Sequence, residues 1–309
     1  MYYGIATRQE IELQGGVMRD VYEGLKIEYD KLRMWIVIEL NKIYNEDCLD
    51  TMKRMEDNSI DLTITSPPYD NLRDYNGFSF DFESIAKELF RVTKKGGVII
   101  WIVGDATING SETGTSFRQA LYFKEIGFNL HDTMIYNKLS RYPSSGRYSQ
   151  SFEYMFIISK CNPNTFNPVV KQLKTVIPKI NKISSTYRDK NGKLCVLNNK
   201  YKLKILDAQN NKYKLSENIW YIPAGHMTSS QDKIAYEHPA VFPEKLIYYQ
   251  LLSWSNEESL IYDPFMGSGT TAKIAHLLNR NWIGSEISKE YCDIAEKRID
   301  PYLRQTSMF

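Results

Sequence analysis

Apolar positions along this chain follow two spacings in alternation, one typical of strands and one typical of helices. Residues 98–103 are a continuous apolar run, as expected of a strand buried on both faces of a parallel sheet, and residues 60–65 are predicted to form a second strand. Between them, residues 82–90 place apolar side chains at the i, i+3, i+4 and i+7 positions of a helix. The same alternation returns at residues 260–262 and 282–285. The pattern therefore predicts an α/β fold with a doubly wound, mostly parallel sheet.

One segment interrupts this alternation. Residues 160–214 contain thirteen Lys or Arg and two acids, a net charge of +11, whereas the whole chain carries +2 and the remainder therefore −9. Helical periodicity is weak there, and Asn, Lys and Pro are frequent. Such asymmetry indicates a polyanionic partner, although charge alone also allows a solvated basic loop.

These patterns divide the chain into four segments. Residues 1–33 carry only weak helical patterning and are interpreted as an N-terminal extension. Residues 34–159 and 236–309 hold the alternating strands and helices, which we interpret as two halves of one domain. Residues 160–235 form a basic insert between the halves.

The composition narrows the class of protein. Apolar residues make up 42% and charged residues 25% of the chain, which is ordinary for a globular protein. The four cysteines are scattered without a Cys-x-x-Cys pair, so we expect no metal site, no disulfide framework and a cytoplasmic protein. The longest apolar run, residues 98–103, is too short to cross a bilayer, and no membrane partner is expected.

A glycine-rich turn follows the strand predicted at residues 260–262. Residues 263–271 read Asp-Pro-Phe-Met-Gly-Ser-Gly-Thr-Thr and directly precede a predicted helix. Glycines let a ligand approach the backbone, and the helix N-terminus offers N–H groups to an anion. Glu286 ends the next strand, where an acid binds a ribose diol in dinucleotide folds. The turn predicts a nucleotide-type site, but not an NTPase loop, because no Lys follows Gly269.

A second motif ends the strand predicted at residues 60–65. Residues 64–69 read Ile-Thr-Ser-Pro-Pro-Tyr. The two prolines lack N–H donors and stiffen the chain, which leaves carbonyl oxygens available as acceptors. An exocyclic amine would donate to the Ser66 hydroxyl and the Pro67 carbonyl, and Tyr69 would stack on a base removed from its helix. As sequence alone, the motif is also compatible with an ordinary loop.

Both motifs resemble those of the amino-methyltransferases of DNA, the family that produces N4-methylcytosine and N6-methyladenine. Residues 263–269 are similar to its cofactor motif, and residues 65–69 to its catalytic motif in the Thr-Ser-Pro-Pro-Tyr form. The order of catalytic motif, basic insert and cofactor motif resembles the β group, in which the insert recognises the target. The resemblance extends from about Lys42 to Arg298 outside the insert. It implies a Rossmann-like methyltransferase sheet, S-adenosylmethionine as cofactor and duplex DNA as substrate.

The resemblance also implies roles for individual residues. The catalytic residues are Ser66, Pro67, Pro68 and Tyr69. The cofactor-binding residues are Asp47, Thr65, Asp263, Phe265, Gly267, Ser268, Gly269, Thr270 and Glu286. The DNA-binding residues are Arg141, Arg147, Lys200, Lys202 and Lys204. Asp47 fits the acid that binds the adenine amine, and it is also suited to cap the helix that follows. His238 is interpreted as structural.

The implied reaction is direct methyl transfer to the N4 amino group of cytosine in duplex DNA, with the base flipped out. Ser-Pro-Pro-Tyr favours cytosine N4 in this family, and adenine N6 stays as the alternative. An RNA or protein methyltransferase would more often carry Asn-Pro-Pro-Tyr after its cofactor motif. A non-enzymatic DNA-binding protein would leave residues 66–69 and Glu286 without a role. A companion restriction endonuclease that acts separately is an expected partner, and both a monomer and a homodimer are compatible with the sequence.

Overall fold

A computed structural model of the chain describes residues 38–68, 80–139, 146–172, 186–196 and 213–306. Within these ranges the strands, in chain order, are β1 (Lys42–Tyr44), β2 (Ile60–Thr65), β3 (Thr93–Val103), β4 (Thr107–Ile108), β5 (Ser111–Glu112), β6 (Asn129–Asn137), β7 (Phe152–Ser159), β8 (Val170–Gln172), β9 (Thr186–Arg188), β10 (Leu194–Val196), β11 (Tyr213–Leu215), β12 (Ile219–Tyr221), β13 (Leu260–Asp263) and β14 (Asn281–Ser285). The helices are α1 (Cys48–Lys53), α2 (Phe82–Val92), α3 (Thr115–Glu125), α4 (Glu244–Trp254), α5 (Thr270–Leu277) and α6 (Lys289–Thr306). A short 3-10 helix spans Lys233–Glu237.

The central sheet contains eight strands in the order β1-β14-β13-β2-β3-β7-β6-β12. Strand β7 runs antiparallel to both of its neighbours. The other neighbouring pairs in this sheet are parallel. The predicted doubly wound, mostly parallel Rossmann-like sheet is therefore confirmed.

Helices cover both faces of the sheet. Along residues 98–103, even-numbered side chains join one core cluster and odd-numbered side chains join the other. Since neighbouring side chains of a strand point to opposite faces, this continuous apolar run is buried on both sides. Helices α4, α5 and α6 pack into the first cluster, and α1, α2 and α3 into the second. The chain before the insert thus covers one face, and the chain after it covers the other.

The direction of winding reverses between β2 and β13, which lie side by side. After β2 the chain continues to its neighbour β3, and after β13 it continues in the opposite direction to β14. Ligands of open α/β sheets bind at such a switch point, beyond the carboxyl ends of the strands. Thr65 and Asp263, the last residues of β2 and β13, lie there.

Strand β3 begins earlier than the predicted residue 98. The Lys-Lys-Gly-Gly sequence at residues 94–97 predicts the end of the preceding helix, and α2 does end just before it, at Val92. Thr93 is extended, with its hydroxyl donating to the Leu89 carbonyl at 2.6 Å, and residues 94–97 belong to β3. The register between β2 and β3 shifts at this point, and Gly96 has a φ of +81°. A bulge within the strand therefore follows directly on the helix.

The described parts of residues 160–235 include five strands, β8 to β12. Strand β8 pairs antiparallel with β11, and β9 pairs antiparallel with β10. Strand β12 pairs with β6 and so belongs to the central sheet. The four-segment division of the chain stays a prediction, and the extension at residues 1–33 lies outside the described residues. Of the helices that the structure describes, none is both long and apolar enough to span a membrane.

Candidate active site

Asp263 joins the ends of the two central strands. One carboxylate oxygen accepts from the Thr65 hydroxyl at 2.7 Å and from the Phe265 N–H at 3.1 Å. The other oxygen accepts from the Thr271 hydroxyl at 2.6 Å. Burial raises the pKa of Asp263 to about 6, while these three hydrogen bonds act in the opposite direction. The predicted catalytic motif and the predicted cofactor motif are thus in direct contact through Thr65 and Asp263.

The glycine turn requires glycine at two positions. Gly267 and Gly269 have φ values of +51° and +78°, a region that side chains with a Cβ rarely adopt. A Cβ on Gly267 would lie 3.1 Å from Nε2 of His238, and one on Gly269 would lie 2.9 Å from Cβ of Ala295. The backbone of the turn is therefore packed closely against His238 and Ala295.

Glu286 follows β14 and fixes the turn from the side. Its buried carboxylate accepts from the Gly267 N–H at 2.8 Å and from the Ser288 N–H at 2.9 Å. Burial raises the pKa of Glu286, and the two N–H donors oppose that rise. A carboxylate has about four acceptor sites. Glu286 therefore keeps acceptor capacity for a ribose diol while it holds the turn.

The end of β1 lies beside Glu286 because β1 and β14 are parallel neighbours. Asp47 caps α1, with its carboxylate accepting from the Leu49 N–H at 2.8 Å. Asn45, which the sequence analysis did not select, donates from its amide to the carbonyls of Glu286 at 2.9 Å and Ile287 at 3.2 Å. In the sequence, Asn45 could have been selected because it directly follows a strand and precedes Asp47 by two residues. Asn45 ties the β1 end to the predicted ribose acceptor.

Four charged side chains form a buried network under the turn. Arg298, whose side chain is 0% exposed, pairs with Asp232 at 2.8 Å and with Glu244 at 2.7 Å. Lys273 pairs with the same carboxylates at 2.7 and 2.8 Å. Burial alone would raise the pKa of both carboxyl groups, but hydrogen bonds that include those from the two cations lower the pKa values below their usual range. The network, here called the Arg298 cluster, consists of these four residues.

Arg298 connects the glycine turn to the chain that returns from the insert. It donates to the Ser268 carbonyl and the Thr270 hydroxyl, both at 2.9 Å, and to the Ser230 hydroxyl at 3.1 Å. Ser268 and Thr270 were predicted to bind cofactor, and in the structure both are bonded to Arg298. Arg298 was not among the predicted site residues. Its signal was a charge placed at helical spacing on the inward face of α6.

The catalytic segment continues directly from β2. Ser66 and Pro68 are partly buried, and Pro67 is buried. Tyr69, predicted to stack on the target base, lies outside the described residues. The described part of the motif therefore lies beyond the carboxyl ends of the strands, on the same side of the sheet as the predicted cofactor turn.

Phe265, in the predicted cofactor turn, contacts aromatic residues of the N-terminal half of the sheet domain. Its partly buried ring meets Phe80 edge to face at a centroid distance of 5.7 Å and lies 6.5 Å from Trp101 of β3. The Trp101 indole donates to the buried Gln119 side chain at 2.9 Å. Phe265 thus packs against two aromatic residues that follow the Ser-Pro-Pro-Tyr motif in the chain.

The predicted DNA contacts are only partly described. Arg147 donates to the Thr107 hydroxyl at 2.8 Å and to the Gly110 carbonyl at 2.7 Å. The other predicted contacts lie outside the described residues, and these are Arg141, Lys200, Lys202 and Lys204.

The basic segment uses its described cations in two ways. Arg188, Lys190 and Lys193 are exposed on the β9–β10 hairpin, residues 186–196, called here the insert hairpin. Lys160 instead donates to the carbonyls of Phe90 at 2.6 Å and Thr93 at 3.0 Å. Burial lowers the pKa of Lys160. Lys160, the first cation of the segment, therefore binds backbone carbonyls at the junction of α2 and β3.

A family model described as DNA methylase, of the N6/N4 type, matches residues 60–297, which include both motifs. The chain belongs to this family. The predicted resemblance to DNA amino-methyltransferases is thereby confirmed.

Curated relatives support the assignment. The chain is 56% identical over 248 residues to the orphan methyltransferase M.BamHII of Bacillus amyloliquefaciens, across 80% of this chain and 91% of the relative. It is 26% identical over 290 residues to the type II methyltransferase M.HinfI of Haemophilus influenzae, across 84% of this chain and 68% of the relative.

Solved structures share the fold of this methylase. PvuII DNA methyltransferase (cytosine-N4-specific) superposes with a TM-score of 0.61 at 20% identity, across 83% of this chain and 85% of the other. A DNA modification methylase of Thermus thermophilus, TTHA0409, complexed with S-adenosyl-L-methionine, superposes with a TM-score of 0.55 at 19% identity, across 84% of this chain and 92% of the other.

Proposed function

We propose that this DNA methylase transfers a methyl group from S-adenosylmethionine to the exocyclic N4 amino group of cytosine in duplex DNA. The observation that carries the proposal is the 2.7 Å hydrogen bond between Thr65 and Asp263. It fixes the Ser-Pro-Pro motif beside the glycine turn at the switch point of the sheet. An acceptor for an amino group and a site for a nucleotide-like donor are therefore adjacent.

The turn suits an adenosine-type cofactor. Gly267 supplies the positive φ that the turn needs beneath the His238 ring, and Glu286 presents a buried carboxylate for ribose hydroxyls. Asp47, at the end of the neighbouring β1, accepts from the adenine amine. S-adenosylmethionine, when bound, supplies an electrophilic methyl group on a sulfonium.

The catalytic motif positions the target nitrogen. An amino nitrogen conjugated with a base ring is a weak nucleophile. The Ser66 hydroxyl and the Pro67 carbonyl accept hydrogen bonds from that amine and direct its lone pair out of the ring plane. Pro67 and Pro68 have no N–H to compete for these acceptors. Positioning and oriented dipoles supply the catalysis, and no cysteine nucleophile is required.

The structural likeness to a cytosine-N4-specific enzyme and the neutral Ser66 support cytosine. Adenine N6 is the second candidate, since the family includes enzymes of both types. Action on genomic DNA implies a cytoplasmic enzyme. Relatives include both an orphan and a type II methyltransferase, so a companion nuclease stays a prediction, as does the choice of monomer or homodimer.

The product test uses unmodified plasmid DNA and methyl-labelled S-adenosylmethionine, followed by mass spectrometry of the nucleosides. We expect N4-methylcytosine from the wild type. Ser66→Ala should lower kcat more than affinity for duplex DNA, because its bond matters most as the nitrogen leaves conjugation. Ser59→Ala, at the opposite end of β2, is the matched control and should keep wild-type kcat. Label on adenine alone would replace the cytosine assignment, and no label on any DNA would remove the proposed function.

The cofactor test is calorimetry with S-adenosylmethionine. Glu286→Ala removes an acceptor pair and should weaken binding by about 2–4 kcal/mol. Glu290→Ala, an exposed acid on α6, should bind as the wild type does. Equal affinity in both variants would contradict the role of Glu286.

A further inference from the structure

A second feature occupies the catalytic edge of the sheet. Strand β3 ends beside β2, since Trp101 and Thr65 are register partners. The chain then forms the antiparallel β4–β5 hairpin, residues 107–112, called here the edge hairpin. Asn109 and Gly110 form its turn, with φ values of +51° and +82°, as a two-residue type I′ turn requires. The edge hairpin therefore projects from the side that holds Ser66.

Side-chain and backbone bonds hold the edge hairpin in place. Arg147 donates to the Thr107 hydroxyl at 2.8 Å and to the Gly110 carbonyl at 2.7 Å, so it contacts one strand and the turn. At the base of the hairpin, the Thr113 N–H donates to the Ala106 carbonyl at 3.0 Å. A type I′ turn with these anchors presents its tip in one orientation.

The tip carries one large apolar side chain. Ile108 is 55% exposed and stands directly before the turn, whereas the other side-chain-bearing residues of 107–112 are polar or charged. A protein-docking surface needs a contiguous apolar patch, which the edge hairpin lacks. A single apolar wedge on a polar support is suited to insertion between stacked bases.

The surrounding charge fits the same occupant. Arg118, at the start of α3, is exposed and donates to the Thr113 carbonyl at 3.1 Å. Arg118 thus places one guanidinium group at the base of the hairpin and Arg147 places a second beside its turn, where they suit phosphates. The acid of the hairpin, Glu112, pairs in register with Thr107 on the strand portion rather than at the turn.

We propose that Ile108 enters the base stack of the DNA when the target base leaves it. The inference rests on the proposed function, because methylation of a base in a duplex requires that base to be flipped out. Flipping costs the stacking and pairing of the target, and an apolar side chain in the gap restores part of the lost contact. Ile108 is thus an element of target-base extrusion, separate from the residues that hold the amino group.

The test compares two substrates that carry the recognition sequence, one with the target base paired and one with it opposite an abasic site. Ile108→Ser should lower kcat/KM at least tenfold on the paired duplex, given a flipping cost of a few kcal/mol. On the abasic duplex its kcat/KM should stay within about twofold of wild type, since the target is already unpaired. Ile108→Leu should retain activity on both. Leu121→Ser, 56% exposed on α3, is the matched control and should affect neither substrate.

A fluorescent base analogue at the target position measures extrusion directly. The enhancement on binding should be large for wild type and reduced for Ile108→Ser at equal occupancy of DNA. Equal loss of kcat/KM on paired and abasic duplexes, or unchanged activity and fluorescence, would overturn the role of Ile108. Failure of the wild type to methylate either duplex would instead reject the proposed function.

Discussion

The glycine turn and the insert hairpin both depend on charged side chains, but they use charge in opposite ways. Under the turn, the Arg298 cluster is buried, and each cation contacts both carboxylates. On the insert hairpin, Arg188, Lys190 and Lys193 are exposed. Burying a charge requires partners, which fixes the geometry of the surrounding chain. An exposed charge leaves geometry free and remains available to a polyanion.

The largest expected effect comes from breaking the Arg298 cluster. Arg298→Met removes a fully buried cation and leaves the partly buried Asp232 and Glu244 with Lys273 as their remaining partner in the cluster, which should lower the free energy of unfolding by about 3–5 kcal/mol in urea denaturation. Arg304→Met is the control on the same helix, because Arg304 pairs with Asp300 but is 77% exposed. An exposed pair of this kind contributes about 0.5 kcal/mol. Similar losses in both variants would show that burial of Arg298 contributes little.

The close packing of the turn is tested by adding one methyl group. Gly267→Ala should lower stability by about 1–2 kcal/mol from the left-handed backbone alone, with a further loss from contact with His238. It should also weaken S-adenosylmethionine binding. Gly114→Ala is matched, because Gly114 has a φ of +67° but nothing within 4 Å of the added Cβ. Both variants are measured by calorimetry and by urea denaturation. If the two variants lose the same stability and the same cofactor affinity, contact between the added Cβ and His238 is not the reason that residue 267 is glycine.

The pH dependence of stability tests the buried acid between the motifs. The pKa of Asp263 is about 6 in the native state, and its ordinary value, taken for the unfolded chain, is 3.8. Between pH 3.8 and about pH 6 the native chain therefore binds a proton that the unfolded chain does not. The contribution of Asp263 to stability is therefore fully present below about pH 4 and is lost as pH rises through about 6, by roughly 2–3 kcal/mol. Asp263→Asn removes this titration. The melting temperatures of the wild type and of Asp263→Asn are measured from pH 4 to 7. If both change with pH by the same amount, the raised pKa of Asp263 is contradicted.

The smallest effect on stability is expected on the insert hairpin. Replacing Arg188, Lys190 and Lys193 with Gln should leave the melting temperature unchanged but lower the slope of log K against log salt for DNA by up to about 2–3, since each phosphate contact contributes about 0.9. Lys160→Gln is the opposite control, because Lys160 donates to backbone carbonyls of the sheet domain. It should lower stability and leave the salt slope unchanged. An unchanged slope in the triple variant would identify the insert hairpin as a solvated surface.

Local pattern predicted most of the strands and helices of the described domain. The apolar run at residues 98–103 indicated a strand buried on both faces, and each face indeed packs against helices. The Lys-Lys-Gly-Gly segment correctly indicated the end of α2, but glycines also permit strand bulges, so the early start of β3 was not predicted. Only the pairing of β3 with β2 shows that these residues belong to the strand.

For the candidate site, the sequence predicted individual residues but not the contacts between them. Residue type and position at a strand end identified Glu286, Gly267 and Ser66, since the chemistry of nucleotide and amine recognition restricts which residues serve there. The same signals gave no indication that Ser268 and Thr270 would bond to Arg298. A charged residue on an apolar helix face is recognisable in sequence, but its partners are not.

The sequence by itself determined the alternating elements, the two motifs and their order, because periodicity and motif chemistry are local properties of the chain. The tertiary structure decided which distant groups meet. Thr65 and Asp263 are 198 positions apart, and their contact exists because β2 and β13 are neighbours in the sheet. Strand order depends on the packing of all the helices on both faces, and no local pattern in the sequence encodes it.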